Sequence, residues 1–439
     1  MLDVEVVPEL AIRHKSWEFV LGMPIQQMIN ILRKQDNVIK SVDLWHNDKF
    51  PFSSNLVIVL PGDGLEFYFD PFLQRLRLIE IFDLSKITLR YWSEYFSGPA
   101  IAPTVQEILR IFGSTKPLAQ ADSPGEYRLC YRGITFIFTS RPVVSSDGSS
   151  TPSSHLTDRS LLTSSQSALT ATRLYIYLGN DMANARVSVE IPSSCYLSNV
   201  FLERLEIVRS ADITKSLVFH LVTQDLNVNP TLDPQTRRFK RSLTFGDRPE
   251  DVLSALGSPS RIFYKTEDKM KIHLPQSYRL EQPRRSDYFY NYLTMGLDIL
   301  FDARTHRVIK FVLHTNQPGE YTFNTYYRCL FEIPLPYSDE STENKATGAQ
   351  NPDGSAPKSR NVLIVTPFLN WSAIQRCIGP DMDHEPVVIY RDSKPGRNPF
   401  GPTHTYGYRD IIFEVIPDCD LLASVTLYTA IRPPSGPDP

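Results

Sequence analysis

The chain has 439 residues, of which 41% are hydrophobic and 22% charged, and its formal net charge is −3. That balance suits a water-exposed chain folded into roughly two to four domains. It excludes a protein that holds nucleic acid or an anionic membrane through a global positive field.

The five cysteines, Cys130, Cys195, Cys329, Cys377 and Cys419, are dispersed and odd in number. They fit a reducing compartment better than a disulfide framework. The start, "MLDVEVVPEL", lacks a basic end followed by an apolar run, so no secretory signal is expected. No apolar segment approaches the ~18–20 residues of a membrane span. A cytoplasmic protein is the expectation.

In chain order, "GMPIQQMINILRK" (22–34) is predicted helical. "GDGLEFYFDPFLQRLRLIEI" (62–81) reads as a hairpin, with Leu65, Phe67 and Phe69 on one strand and Leu76, Leu78 and Ile81 on the next. "APTVQEILRIFGSTKP" (102–117) is a helix capped by Thr104 and ended by Gly113, and "RGITFIFTS" (132–140) begins a second hairpin. Residues 142–170 are Ser/Thr-rich and expected to be disordered. Residues 171–243 carry strand-like alternation without a long helical pattern, as in "FLERLEIVR" (201–209), and read as a β-rich insertion.

A third helix, "DRPEDVLSALGSP" (247–259), has Asp247 as its expected N-cap and Gly257 as a left-handed C-cap. The hairpin "MGLDILFDARTHRVIKFVLH" (295–314) repeats the Gly-Leu-acid opening of residues 64–66. A second disordered loop is expected over 337–360. The helix "NWSAIQRCIGP" (370–380) and strands "YRDIIFEVI" (408–416) and "LLASVTLY" (421–428) follow, with a disordered tail at 433–439. The pattern predicts an α+β fold of four related helix–β-hairpin units packed on mainly antiparallel sheets. Copies one and two occupy 1–141, the third 244–336 and the fourth 361–432.

No catalytic motif emerges. Gly62 and Gly64 lack the third glycine and following helix of a dinucleotide fingerprint, and Lys116 after Gly113 lacks the order of a phosphate loop. HExxH, paired CxxC and GxSxG are absent. His273, His306 and His314 read as surface or strand-edge residues. Asp70 and Asp302 occupy matching turns and read as turn formers rather than paired acids. No catalytic residue, metal site or cofactor is assigned, and no enzyme is expected.

Two basic clusters remain: Arg237, Arg238, Lys240 and Arg241 in "RRFKR", and Lys265, Lys269, Lys271 and His273 in "KTEDKMKIH". Either suits a phosphoinositide headgroup. Roughly 1 kcal/mol per basic residue gives about 4 kcal/mol for four, a dissociation constant near ~1 mM. Such a patch assists recruitment without achieving it. The tyrosine-rich runs 288–296 and 321–334 read as core or edge packing, or as a protein-binding surface if exposed.

The blocks "WEFVLGMP" (17–24), "AIAPTVQEI" (100–108), "YIYLGN" (175–180), "IFYKTEDKMKIH" (262–273), "MGLDILFDARTHRVIKFVLHTNQPGEY" (295–321), "NPFG" (398–401) and "ASVTLY" (423–428) together resemble the phagosome (phagophore) assembly factor family, also called the MYTHO family. The resemblance implies a non-enzymatic adaptor or scaffold in autophagy. It implies a β-propeller partner of the breast-carcinoma-amplified-sequence type at the forming autophagosome membrane, with the propeller as the main phosphoinositide reader. A lipid-binding or Golgi vesicle-trafficking factor is the alternative.

Overall fold

The computed structural model describes residues 1–121, 123–139, 169–187, 191–195, 200–210, 212–224, 236–265, 286–337, 361–379, 385–390 and 401–429. Chain contacts divide it into two units: Met1–Asn47 with Phe52–Cys195, and Asp48–Pro51 with Tyr196–Pro439.

The first unit begins with β1 (Leu2–Val7), β2 (Ala11–Arg13) and β3 (Glu18–Val20), then α1 (Ile25–Lys34). A meander follows: β4 (Asp43–Trp45), β5 (Leu56–Leu60), β6 (Leu65–Phe69) and β7 (Leu76–Ile81). Next come β8 (Ile87–Tyr91), β9 (Glu94–Ser97), α2 (Val105–Phe112) and a second meander of β10 (Ala119–Gln120), β11 (Glu126–Tyr131), β12 (Ile134–Thr139) and β13 (Ala171–Tyr177). Five strands form one sheet in the order β3-β2-β1-β8-β9, and eight form the other in the order β10-β11-β12-β13-β7-β6-β5-β4.

Period-two burial explains the strands. In β1, Leu2, Val4 and Val6 are buried while the residues between them are only partly so. The ring of Phe19 in β3 meets Phe67 in β6 edge-on at 5.1 Å. Phe112 of α2 meets both Phe96 of β9, at 5.3 Å, and Phe136 of β12, at 5.2 Å. Helix and both sheets therefore share one apolar interior.

The second unit contains β14 (Val200–Ser210), β15 (Ile213–Gln224), β16 (Thr236–Leu243), α3 (Pro249–Leu256), β17 (Arg261–Tyr264), β18 (Tyr288–Tyr292), β19 (Leu297–Phe301) and β20 (Val308–His314). It continues with β21 (Phe331–Tyr337), β22 (Asn361–Val365), α4 (Trp371–Ile378), β23 (Val387–Ile389), β24 (Thr403–Tyr408), β25 (Ile411–Ile416) and β26 (Leu421–Tyr428). Its sheets run β16-β15-β14-β21-β22 and β17-β18-β19-β20-β26-β25-β24-β23. Leu217, Phe219 and Leu221 of the smaller sheet, Ile299, Phe311 and Phe413 of the larger, and Val252, Trp371 and Ile374 of the helices join one buried cluster.

The order of elements in the two units is the same, strand for strand. Among the described residues each has one parallel strand pair, β1 with β8 and β14 with β21. The second is confined to Leu205–Phe331 and Glu206–Glu332. Pro334 and Pro336 lie further along β21, and proline has no N–H to offer a neighbouring strand, which accounts for the short pairing.

These observations overturn the predicted α+β class. Among the described residues strands make up 48% and helix 13%, in four mainly antiparallel sheets. The described α-helices are only eight to ten residues long. Each hairpin singled out in the sequence is part of a longer meander. The stretch 171–243 is not one insertion: β13 lies between β12 and β7 of the first unit, while β14, β15 and β16 open the second. The expected disordered segments 142–170, 337–360 and 433–439 lie outside the described residues, except for Leu169, Thr170, which bridges to Thr104, and Tyr337, which ends β21.

Helix ends follow local chemistry. The Thr104 hydroxyl accepts from the Glu107 amide at 3.2 Å. Gly113 and Gly257 terminate α2 and α3 at φ of +85° and +79°, whereas Gly379 after α4 stays right-handed at −55°. The N-cap of α3 is Arg248, not Asp247, whose carboxylate instead accepts from the amide and hydroxyl of Thr244.

The repeated Gly-Leu-acid stretch has a physical cause. Gly64 and Gly296 open β6 and β19 at φ of +72° and +68°. A Cβ on Gly64 would sit 2.6 Å from the Asp83 carbonyl, and one on Gly296 would sit 2.7 Å from the Cys329 amide. Both positions need glycine for the turn and for the chain crossing above it.

Candidate functional site

Arg237, Arg238, Lys240 and Arg241 lie on β16, the outer strand of the second unit's five-stranded sheet, and all four are exposed. Alternation divides them. Arg237 and Arg241 share a face with Phe239, opposite the buried Phe219 and Leu221, and Arg238 and Lys240 share the other. The Arg241 guanidinium lies 5.0 Å from the centre of the Phe239 ring. Arg238 donates to Glu203 at 2.9 Å, so its charge is largely neutralised. The exposed strand therefore presents Arg237, Lys240 and Arg241 without carboxylate partners among the described residues.

The other basic cluster is not joined to it by sheet pairing. Lys265 follows β17, at an end of the larger sheet, while Lys269, Lys271 and His273 lie outside the described residues. The Lys265 amide donates to the Asp287 carbonyl at 2.8 Å. β17 exposes Ile262, Phe263 and Tyr264 to solvent. Below it opens a cavity of about 390 Å³ lined by Ile262, Tyr264, Ser286, Tyr288, Tyr290 and His306. The Tyr288 hydroxyl meets His306 Nδ1 at 3.0 Å, and burial pushes that phenol up to about 12. The tyrosine run 288–296 thus packs as core on its inward face, with Tyr288, Tyr290 and Tyr292 all buried.

A buried polar constellation escaped the sequence reading. Asp298 Oδ2 accepts from the Tyr326 hydroxyl at 2.8 Å and lies 2.9 Å from His314 Nε2, while Asn291 donates to Oδ1 at 2.6 Å. The His314 and Tyr326 rings stack with centroids 3.7 Å apart. His314 is 8% exposed, which corrects its reading as a surface or strand-edge residue. The loop after β20 is held by the same kind of contact: Arg328 donates to the Thr315 carbonyl and to Gln317 Oε1, and Gln317 to the Pro367 carbonyl. These bonds pin a loop over the sheet. The available signal was an aspartate inside an otherwise apolar strand, sixteen residues before a histidine.

Asp70 and Asp302 behave as turn formers. Asp70 Oδ1 accepts from the amides of Phe72 and Leu73, and Asp302 Oδ2 from those of Arg304 and Thr305. His306 occupies the second of these turns. Among the described residues no group of three or more His, Cys, Asp or Glu is arranged to hold a metal ion. No described helix is long and apolar enough to cross a membrane.

The sequence model of the phagosome assembly factor 1 family matches residues 15–428. This chain belongs to that family. A PHAF1 protein of Drosophila melanogaster is 38% identical over 435 residues, covering 99% of this chain and 95% of the relative. A PHAF1 protein of Caenorhabditis elegans is 34% identical over 431 residues, covering 98% and 94%. One from Arabidopsis thaliana is 30% identical over 410 residues, covering 93% and 90%. No solved structure matches. Membership is consistent with a role in autophagy-related membrane assembly.

Proposed function

We propose that this phagosome assembly factor is a non-enzymatic adaptor that works with a β-propeller partner at the forming autophagosome membrane. Family membership across nearly the whole chain supports the setting. The observation that carries the division of labour is β16, where Arg237, Lys240 and Arg241 face solvent while Arg238 is paired with Glu203. Three uncompensated cations contribute about 3 kcal/mol near an anionic surface, a dissociation constant on the order of 10 mM. That is too weak to localise a protein alone. It is useful beside a second contact, because a partner already at the membrane turns the lipid contact into an intramolecular event.

Affinity purification from starved and fed cells tests the reading. The expected result is a propeller protein recovered with the chain; its absence under both conditions removes the adaptor proposal. Replacing Arg237, Lys240 and Arg241 with Glu is expected to reduce starvation-induced puncta only modestly. Complete loss of puncta with the complex intact would make lipid contact primary.

A further inference from the structure

Among the described residues β17 ends the eight-stranded sheet of the second unit, and its outer side differs from its paired side. Its residues stand opposite β18 in the register Arg261–Asn291, Ile262–Tyr290, Phe263–Phe289 and Tyr264–Tyr288. The Lys265 amide bonds to Asp287. In an antiparallel ladder, alternate residues turn their N–H and C=O toward the neighbour. Residues 261, 263 and 265 therefore face β18, and the backbone groups of Ile262 and Tyr264 face outward.

The side chains divide just as cleanly. Ile262 and Tyr264 line the 390 Å³ cavity with Tyr288 and Tyr290. On the opposite face, Arg261, Phe263 and Lys265 follow one another, with the Arg261 guanidinium 6.0 Å from the Phe263 ring. Lys310 lies on that second face too, across Leu300 in the register. Burial, and then the charge of Lys265, hold its ammonium below the usual lysine range. Among the described residues no carboxylate pairs with Arg261, Lys265 or Lys310. Arg261 is instead within reach of the neutral Asn291 amide oxygen at 3.2 Å.

We propose that β17 is a strand-addition site for an extended segment of a partner protein whose residues alternate between apolar and acidic. The outward amides of Ile262 and Tyr264 supply the ladder. The cavity takes a large aromatic or aliphatic side chain of the incoming strand. Its acidic side chains fall on the Arg261–Lys265 face, where they neutralise two exposed cations and relieve the repulsion on Lys310. Backbone bonds give such a complex affinity, and alternate side chains give it specificity. Charge complementarity favours an acidic partner and makes binding weaken with salt. Glu250 acts on Tyr288 and Tyr290 from the helix side. That places the acidic residues of the partner on the cationic face and not in the cavity.

The inference deepens the adaptor reading by naming how a protein partner docks, and its test is independent of autophagy. The full-length chain is titrated against a fluorescein-labelled synthetic peptide that alternates Glu or Asp with Val, Phe and Ile. The controls are a peptide of the same composition with acids and apolar residues in separate blocks, and one with Lys in place of every acid. The alternating peptide is expected to bind at least about tenfold more tightly than either control. Tyr264→Ser, which opens the cavity floor, and Arg261→Glu/Lys265→Glu are each expected to weaken it by about tenfold or more. The lysine peptide should regain binding to the charge-reversed variant, an outcome that misfolding cannot produce. Equal binding of the blocked peptide, or absence of rescue, overturns the proposal. So does binding that appears only after residues 268–283 are replaced by a glycine–serine linker, which would assign the edge to the chain's own segment. A propeller partner lost from cells while the peptide still binds would sink the adaptor reading and leave the strand-addition site standing.

Discussion

The two units build the same joint from different chemistry. In each, the turn after the first strand of the smaller sheet meets the turn between the second and third strands of the last meander. In the first unit the contact is a close backbone approach. Gly133 sits at φ +72°, and a Cβ there would lie 2.5 Å from the Glu9 amide nitrogen. Glu9 then pairs with the exposed Arg132 at 2.8 Å and accepts from the Gly179 amide. In the second unit Asp410 stands where Gly133 stood. Its carboxylate takes Arg209 at 2.8 Å and the Thr214 amide at 2.7 Å, with side chains only 3% and 12% exposed for Arg209 and Asp410. Arg409 pairs with Asp212 beside it. A shared topology thus specifies that two turns touch, and leaves open whether a missing side chain or a buried ion pair makes room for the touch.

The largest expected effect comes from breaking the ionic version. Asp410→Ala leaves the buried Arg209 charge without its carboxylate, held only by the Thr214 hydroxyl and the Asp212 carbonyl, a loss of about 3–5 kcal/mol. Urea melts of the second unit should show it. The double replacement Arg209→Met/Asp410→Leu should cost much less than the sum of the single changes, because it removes both charges together. Gly133→Ala attacks the steric version, combining a positive φ with overlap against Glu9, for about 2–4 kcal/mol of lost stability.

Cysteines separate these effects by unit. Burial pushes the Cys195 and Cys419 thiols up to about 11 and raises Cys329 as well. Cys130 and Cys377 are partly exposed. At neutral pH a thiol reagent should label Cys130 and Cys377 in the native protein, and the other three only on unfolding. Labelling of Cys195 then reports the first unit, and that of Cys329 and Cys419 the second. Asp410→Ala should shift only the latter pair to lower urea, and Gly133→Ala only the former.

Smaller effects follow. Arg132→Ala removes an ion pair whose arginine is 73% exposed, so about 0–1 kcal/mol is expected. Lys310→Met should stabilise by about 0.5–1 kcal/mol. Lys310 has a depressed pKa when folded, so the unfolded chain binds the extra proton. The Lys310 penalty is fully present at pH values below its folded pKa and fades as pH rises toward the ordinary lysine range. The gain from the Met variant, read as a shift in melting temperature, should shrink over that alkaline interval.

The sequence showed the parts and hid their assembly. Thr104 as a cap, Gly113 and Gly257 as helix ends, and Asp70 and Asp302 as turn formers were legible because each depends on two or three neighbouring residues. The duplicated Gly-Leu-acid stretch was visible, yet its cause, a chain segment crossing above Gly64 and Gly296, is long-range. Fold class failed for a related reason. β10 is a two-residue strand, "AQ", with no periodicity to detect. β13 joins β7 across more than ninety residues, as in the Tyr175–Glu80 pairing. At the candidate surface, β16 announced its charge in sequence, but the Glu203 partner that silences Arg238 did not. Lys265 was legible as part of a basic cluster; that it follows a strand whose outward amides coincide with a cavity was not.

β13 also bears on how the protein is made. The last strand of the first unit to leave the ribosome lies inside its larger sheet, with β12 on one side and β7 on the other. Until Ala171–Tyr177 emerge, the two flanking meanders have nothing to join them into one ladder. A nascent chain interrupted anywhere before that point carries two unfinished edges, and these are what a chaperone would meet. A translational pause that holds Ala171–Tyr177 inside the exit tunnel should therefore prolong chaperone association far more than a pause of equal length that comes after they have left it.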